Sequence, residues 1–149
     1  MKTLLVAVDN SGIARKVVAL ATEQALALRA EVVVLCCIDV SYASSGPFEI
    51  EAGEDPGDFG MALDEQNTAE AVVRRALSEL QKSGVTARGR VIAGESAETI
   101  VAQANALNAA MIIMGRRHLS SFNRLLKGSC SASVIERASC PVLVDVRAD

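Results

Sequence analysis

Short apolar runs alternate along this chain with longer stretches in which apolar residues recur every three or four positions. Residues 3–9, TLLVAVD, form a run of buried-strand length, and Asn10 and Ser11 then offer a helix cap. Ile13, Val17, Leu20, Ala21, Ala25 and Leu28 follow at helical spacing. Residues 31–38, EVVVLCCI, are a second run, β-branched and without polar alternation, as expected of a strand buried on both faces. A second helix is expected from about Ala62 to Lys82, with Ala69, Val72, Val73, Ala76, Leu77 and Leu80 on one face and Gly84 as its stop. Val85 to Ala93 reads as a third, more polar strand at a sheet edge. Ser96 to Leu107 reads as a helix with Ile100, Val101, Ala104 and Leu107 inward, and Ala110 to Met114 as a fourth strand. Ser129 to Ala138 is the last helix, and residues 141–146, PVLVDV, the last strand, opened by a proline where no N–H is required. Regular alternation of strand and helix predicts an α/β fold with a mostly parallel sheet, in one domain spanning residues 1–149.

One segment breaks the rhythm. From Asp39 to Gly60 strand and helix are separated by far more than the usual two to six residues. Pro47, Pro56 and three of the chain's four aromatics, Tyr42, Phe48 and Phe59, fall there. Acidic residues crowd this stretch, so residues 41–60 are expected to be the most mobile part of the chain. Its aromatics offer an alternative, a lid over the strand ends.

Composition changes this picture little. The chain has 149 residues with 50% hydrophobic and 22% charged positions, ordinary for a globular domain, but aromatics are only 3%, so the core must be aliphatic. No apolar run approaches a membrane span, and no signal-peptide pattern opens the chain, so a cytoplasmic location is expected. A net charge of −3 argues against nucleic acid or an anionic membrane as partner. Within it lies one basic cluster, Arg116, Arg117, Arg124 and Lys127, in a stretch from Glu98 to Glu136 that has no acid between its ends. Cys36, Cys37, Cys130 and Cys140 lack metal-ligand spacing, and buried reduced thiols are expected, with Cys36 and Cys37 on opposite faces of their strand. No metal site is expected.

Catalytic patterns fail one by one. Gly84 and Gly89 have the spacing of a phosphate-binding P-loop, but Arg90 and Val91 replace its Lys-Ser/Thr. The first strand opens into DNSG, without the glycines of a dinucleotide turn. His118 is the only histidine and has no nucleophile patterned with it, so there is no hydrolytic triad and no catalytic residue is assigned. What remains follows the fourth strand. Met114-Gly115-Arg116-Arg117-His118 opens a loop that closes at Gly128-Ser129-Cys130-Ser131, the start of the last helix. Free N–H groups at a helix start favour an anion, and Ser129 and Ser131 add hydroxyls. The crevice of an open α/β sheet lies at the carboxyl ends of its strands, where Asp9 also ends up if strands one and four are neighbours. This is a candidate phosphate site.

The opening LLVAVDNSG, the segment Gly94-x-x-A-x-x-I, the stretch IIMGRRH and the ending GSCSASVIERASCPVLVDV resemble the universal stress protein family over essentially the whole chain. The resemblance implies an open, parallel five-stranded sheet of order 3-2-1-4-5 with helices on both faces, commonly in a homodimer. In nucleotide-binding members a G-x2-G-x9-G-S/T loop holds ATP. Gly115 matches its first glycine and Gly128 and Ser129 its last pair, with residues 119–127 as spacer. Asp9 matches the acid that ends the first strand, and Val40 lies near the expected adenine contact. Met114, Arg117, Cys130 and Ser131 complete the candidate cofactor-binding set. The middle glycine is replaced by His118, whose ring occupies space near the phosphates. The resemblance therefore implies a stress-response regulatory module binding ATP or AMP, or alternatively a dimeric interaction protein that binds no nucleotide. A homodimer through residues 141–146 is expected, because an uncovered apolar edge strand invites pairing.

Overall fold

The computed structural model describes residues 1–11, 14–38, 56–116 and 130–147, with the backbone alone over 56–63. The elements are β1 (Thr3–Val8), α1 (Ala14–Leu28), β2 (Glu31–Ile38), α2 (Pro56–Lys82), β3 (Ala87–Ala93), α3 (Ser96–Leu107), β4 (Met111–Gly115), α4 (Cys130–Arg137) and β5 (Val142–Asp145). All four strand pairings are parallel, and the order is β3-β2-β1-β4-β5. The expected α/β class and strand order are both found.

The central strands explain the architecture. Leu4, Val6 and Val8 face one core with Val32, Val34 and Cys36, beneath α1 and α2. Leu5 and Ala7 face a second core with Val33 and Leu35, beneath α3 and α4. Alternate side chains of a strand point to opposite faces, so an uninterrupted apolar run demands cover on both. Cys36 and Cys37 divide between the two cores as expected. Each buried Leu, Ile or Val contributes roughly 1.5–3 kcal/mol relative to exposure.

Two local expectations need correction. The segment read as loop to residue 60 is helical from Pro56, so α2 starts about six residues earlier than expected. Proline is well suited to the first helical position, where its missing N–H costs nothing. Residues 39–55 lie outside the described residues, and so does the expected mobility there. In α1 the buried stripe is Val17, Val18, Ala21 and Ala25, while Leu28 is exposed, because it lies in the last turn beyond the packed stripe.

Three helices end by the same device. The N–H of Arg29 donates to the Leu26 carbonyl and that of Ala30 to Ala25, at 3.4 and 2.9 Å. Gly84 and Val85 repeat the pattern on Gln81 and Leu80, and Asn108 and Ala109 on Asn105 and Ala104. In each case the turning residue is left-handed, with φ of 54° at Arg29, 85° at Gly84 and 51° at Asn108. The residue after it, Ala30, Val85 or Ala109, is buried and leads towards the next strand. Gly84 is therefore a helix stop. Gly89 has a different function, since a Cβ there would overlap Val73 Cγ1 of α2. It lets α2 settle onto the edge strand.

Arginine pays a left-handed penalty that glycine avoids. Arg29→Gly is expected to stabilise the fold by roughly 0.5–1 kcal/mol, part of the gain being offset by glycine's freedom in the unfolded chain. Gly89→Ala is expected to destabilise it by about 1–3 kcal/mol through overpacking. Urea unfolding midpoints check both, and an unchanged midpoint for Gly89→Ala would show that Val73 moves aside freely.

Candidate functional site

The carboxyl ends of the strands gather at one edge of the sheet. Val6 pairs with Ile113, and continuing that register sets Val8 beside Gly115 and Asp9 beside Arg116. Val8 pairs with Cys36 on its other side, which sets Asp9 beside Cys37. Gly115 in turn pairs with Asp145. The crossover in strand order lies at β1, where the chain passes to β2 on one side and β4 on the other. This is the switch point at which open α/β sheets hold ligands.

Asp9 organises the exit of β1. Its Oδ1 accepts from the Ser11 backbone N–H at 3.0 Å and from the Ser11 hydroxyl. The Ser11 carbonyl accepts from Ala14 N–H at 3.2 Å, starting α1. Across β1, Met114 is fully buried in the α3/α4 core, so only its backbone faces the edge. Cys130 begins α4 and is buried in the same core. Ser131 is 4% exposed, and its hydroxyl donates to the Arg116 carbonyl at 3.3 Å. That bond brings the first turn of α4 against the end of β4. The structure thus assembles Asp9, Gly115, Cys130 and Ser131 at one edge, while Val40, Arg117, His118, Gly128 and Ser129 lie outside the described residues.

Three features escaped the sequence reading. Glu95 caps α3, its carboxylate accepting from Ala97 N–H at 3.2 Å and Glu98 N–H at 2.7 Å. Glutamate is not among the usual capping residues, so its pattern carries little signal. A groove of about 680 Å³ runs from Asp9 and Ser11 along the seam between α1 and α2, floored by Val18, Val72 and Ala76. The Asp145 carboxylate, 2% exposed, is gripped by Arg147, whose Nε and Nη2 donate at 2.8 and 2.7 Å. These bonds from Arg147 hold Asp145 below the usual carboxylate range.

The thiols near this edge are protected. Burial pushes Cys36, Cys37 and Cys130 up to about 12, with the negative charge of Asp9 adding for Cys36 and Cys130 and that of Glu95 for Cys37 and Cys130. All four cysteines are free. Among the described residues no group of three or more His, Cys, Asp or Glu side chains could hold a metal ion, and no helix is long and apolar enough to cross a membrane.

The thiolate is the reactive form, so these three cysteines are expected to resist iodoacetamide at pH 8 in the folded protein and to react fully in urea. Mass spectrometry after each treatment checks this. Rapid native labelling of Cys130 would mean that α4 opens readily at its start. Glu95→Ala is expected to cost about 1 kcal/mol of stability, the value of a lost cap, by chemical denaturation.

Comparison with known proteins agrees with this architecture. Universal stress protein Sll1388 of Synechocystis sp. is 29% identical over 150 residues, covering 95% of each chain. A universal stress protein of Archaeoglobus fulgidus, solved in complex with dAMP, superposes with a TM-score of 0.70 at 21% identity, covering 97% of both chains. A family protein of Arabidopsis thaliana, solved with AMP bound, superposes with a TM-score of 0.69 at 17% identity, covering 99% of this chain and 93% of that one. The family model described as the universal stress protein family matches residues 1–147. With the parallel sheet, its order and its crossover at β1, this match places the chain in the universal stress protein family.

Proposed function

We propose that this protein binds an adenine nucleotide, ATP or AMP, at the carboxyl edge of its sheet between β1 and β4, and acts by occupancy as a stress-response regulatory module rather than by catalysis. The observation that carries this reading is the Ser131–Arg116 hydrogen bond, which sets the start of α4 beside the end of β4 and across from Asp9. A phosphate at that helix start would meet the positive end of the helix dipole. The two solved relatives that hold dAMP and AMP support an adenine nucleotide as the ligand class. In this reading Gly128 and Ser129 supply N–H groups and a hydroxyl to the phosphates. Gly115 permits close approach, and Asp9 with the backbone near Val40 holds the nucleoside. Met114, Cys130 and Ser131 contribute through their backbones, and Arg117 adds positive charge.

A homodimer through β5 belongs to the same proposal. The two edges of the sheet differ in chemistry. β3 carries Arg88 and Arg90, with Arg88 paired to Glu31 at 3.4 Å, and such charges deter pairing with another chain. β5 presents the half-buried Val142, Leu143 and Val144, and Ile135 and Val146 are exposed on the neighbouring segments. Two-fold pairing of β5 with a second copy would cover them.

Calorimetry with ATP and with AMP tests the nucleotide reading, with saturable binding expected below millimolar concentration. No binding of either at millimolar concentration would leave the dimeric interaction protein as the reading. His118→Gly is expected to tighten binding by removing a ring from the phosphate loop. Weaker binding by that variant near pH 6 would instead make the imidazolium a phosphate donor. Light scattering at micromolar concentration is expected to show a dimer, and a monomer there would remove the β5 interface.

A further inference from the structure

The Arg116 peptide is the last fixed point before the chain leaves β4, and it is held from two sides. Its carbonyl accepts from Ser131 of α4, and its N–H donates to the Asp145 carbonyl of β5 at 3.0 Å. The anchor on the β5 side is short, since β5 has only four residues. Strand ends of this kind fray. Here fraying is opposed by one residue. Arg147 donates three hydrogen bonds to the Asp145 carboxylate, from its backbone N–H at 3.0 Å, its Nε at 2.8 Å and its Nη2 at 2.7 Å. The guanidinium fork matches the carboxylate and covers it, so that Asp145 is 2% exposed although Arg147 itself is 62% exposed. Alternation along β5 turns Asp145 to the α1 face, with Leu143. From that face Lys16 attracts Asp145, and Glu23 attracts Arg147.

We propose that Asp145 and Arg147 are positioning residues for the nucleotide site, pinning the end of β5 and, through its carbonyl, the Arg116 peptide at the edge where the ligand is held. This rests on the nucleotide reading above, because it names which residues outside the pocket set its geometry. The pair touches no ligand. The pair sits at the end of the sheet with Arg147 exposed, so its loss should register at Arg116 and in affinity beyond whatever it costs the unfolding midpoint. A lysine at position 147 keeps the charge but not the fork, and should restore only part of the effect.

The test uses the full chain as wild type, Arg147→Ala, Arg147→Lys and Asp145→Asn, with two readouts. Amide hydrogen exchange followed by NMR compares Arg116 with Leu5 and Ile112, which report the core. Calorimetry measures AMP and ATP affinity at a protein concentration where light scattering gives one oligomeric state for all four proteins. For Arg147→Ala and Asp145→Asn the Arg116 amide is expected to exchange about tenfold faster, the scale of one lost charge-assisted hydrogen bond, with Leu5 and Ile112 unchanged. Affinity is expected to fall by about the same factor, with Arg147→Lys intermediate in both. Exchange at Arg116 equal to wild type overturns the proposal, as does acceleration shared equally by Leu5 and Ile112, which would mark a merely structural pair. Faster Arg116 exchange with unchanged affinity also overturns it, because the pin would then not matter to the site. A wild type that binds no nucleotide defeats the nucleotide reading and the positioning role together, while the exchange measurements still decide whether the pin exists.

Discussion

The structure depends on β1 being paired along both edges and covered on both faces. A strand in that position has no solvent side, so every residue from Leu4 to Val8 is apolar and at most 2% exposed. Each neighbouring parallel strand must then be reached by a crossover, and crossovers deliver helices to the faces. The chain winds one way from β1 to β2 and β3 and the other way through β4 to β5. The reversal opens a crevice beside β1, and Asp9, the first polar residue after the run, stands at its mouth. The site follows from the same burial that stabilises the sheet.

Much of this was legible because continuous apolar runs have few alternatives. TLLVAV and EVVVLCCI are too short for typical helices and too uniform for half-exposed strands, and both became central strands. The start of α2 was not legible. PGDFG at its beginning reads as turn chemistry, and only the chain's path beyond the sheet reveals that the proline opens a helix. The role of Gly89 was not legible for a related reason. A glycine inside an edge strand signals close approach of another backbone or side chain, but its partner Val73 is distant in sequence.

The site was legible in its covalent order and not in its tertiary bonds. Gly115 and Cys130-Ser131 could be assigned to one edge from the alternation of elements alone. Nothing local indicates that the Ser131 hydroxyl donates to Arg116 rather than outward to a ligand. Glu95 and Asp145 escaped for another reason: their partners lie two or three residues along the chain, but glutamate is an uncommon cap and an acid two residues before an arginine is an ordinary surface pattern. Side chains that serve backbone amides are the hardest to read ahead of the structure.

The shared helix endings at Arg29, Gly84 and Asn108 divide the molecule into two unlike rims. At the rim where helices pass into strands, each joint is a few residues long, carries its own hydrogen bonds and buries the residue that follows. An insertion there would have to break a left-handed turn and shift a strand in register. At the opposite rim the chain already accommodates segments as long as residues 39–55 between consecutive elements while the sheet order stays intact. A chain of this architecture can therefore lengthen, shorten or rewrite the segments of that rim without renegotiating how the scaffold closes.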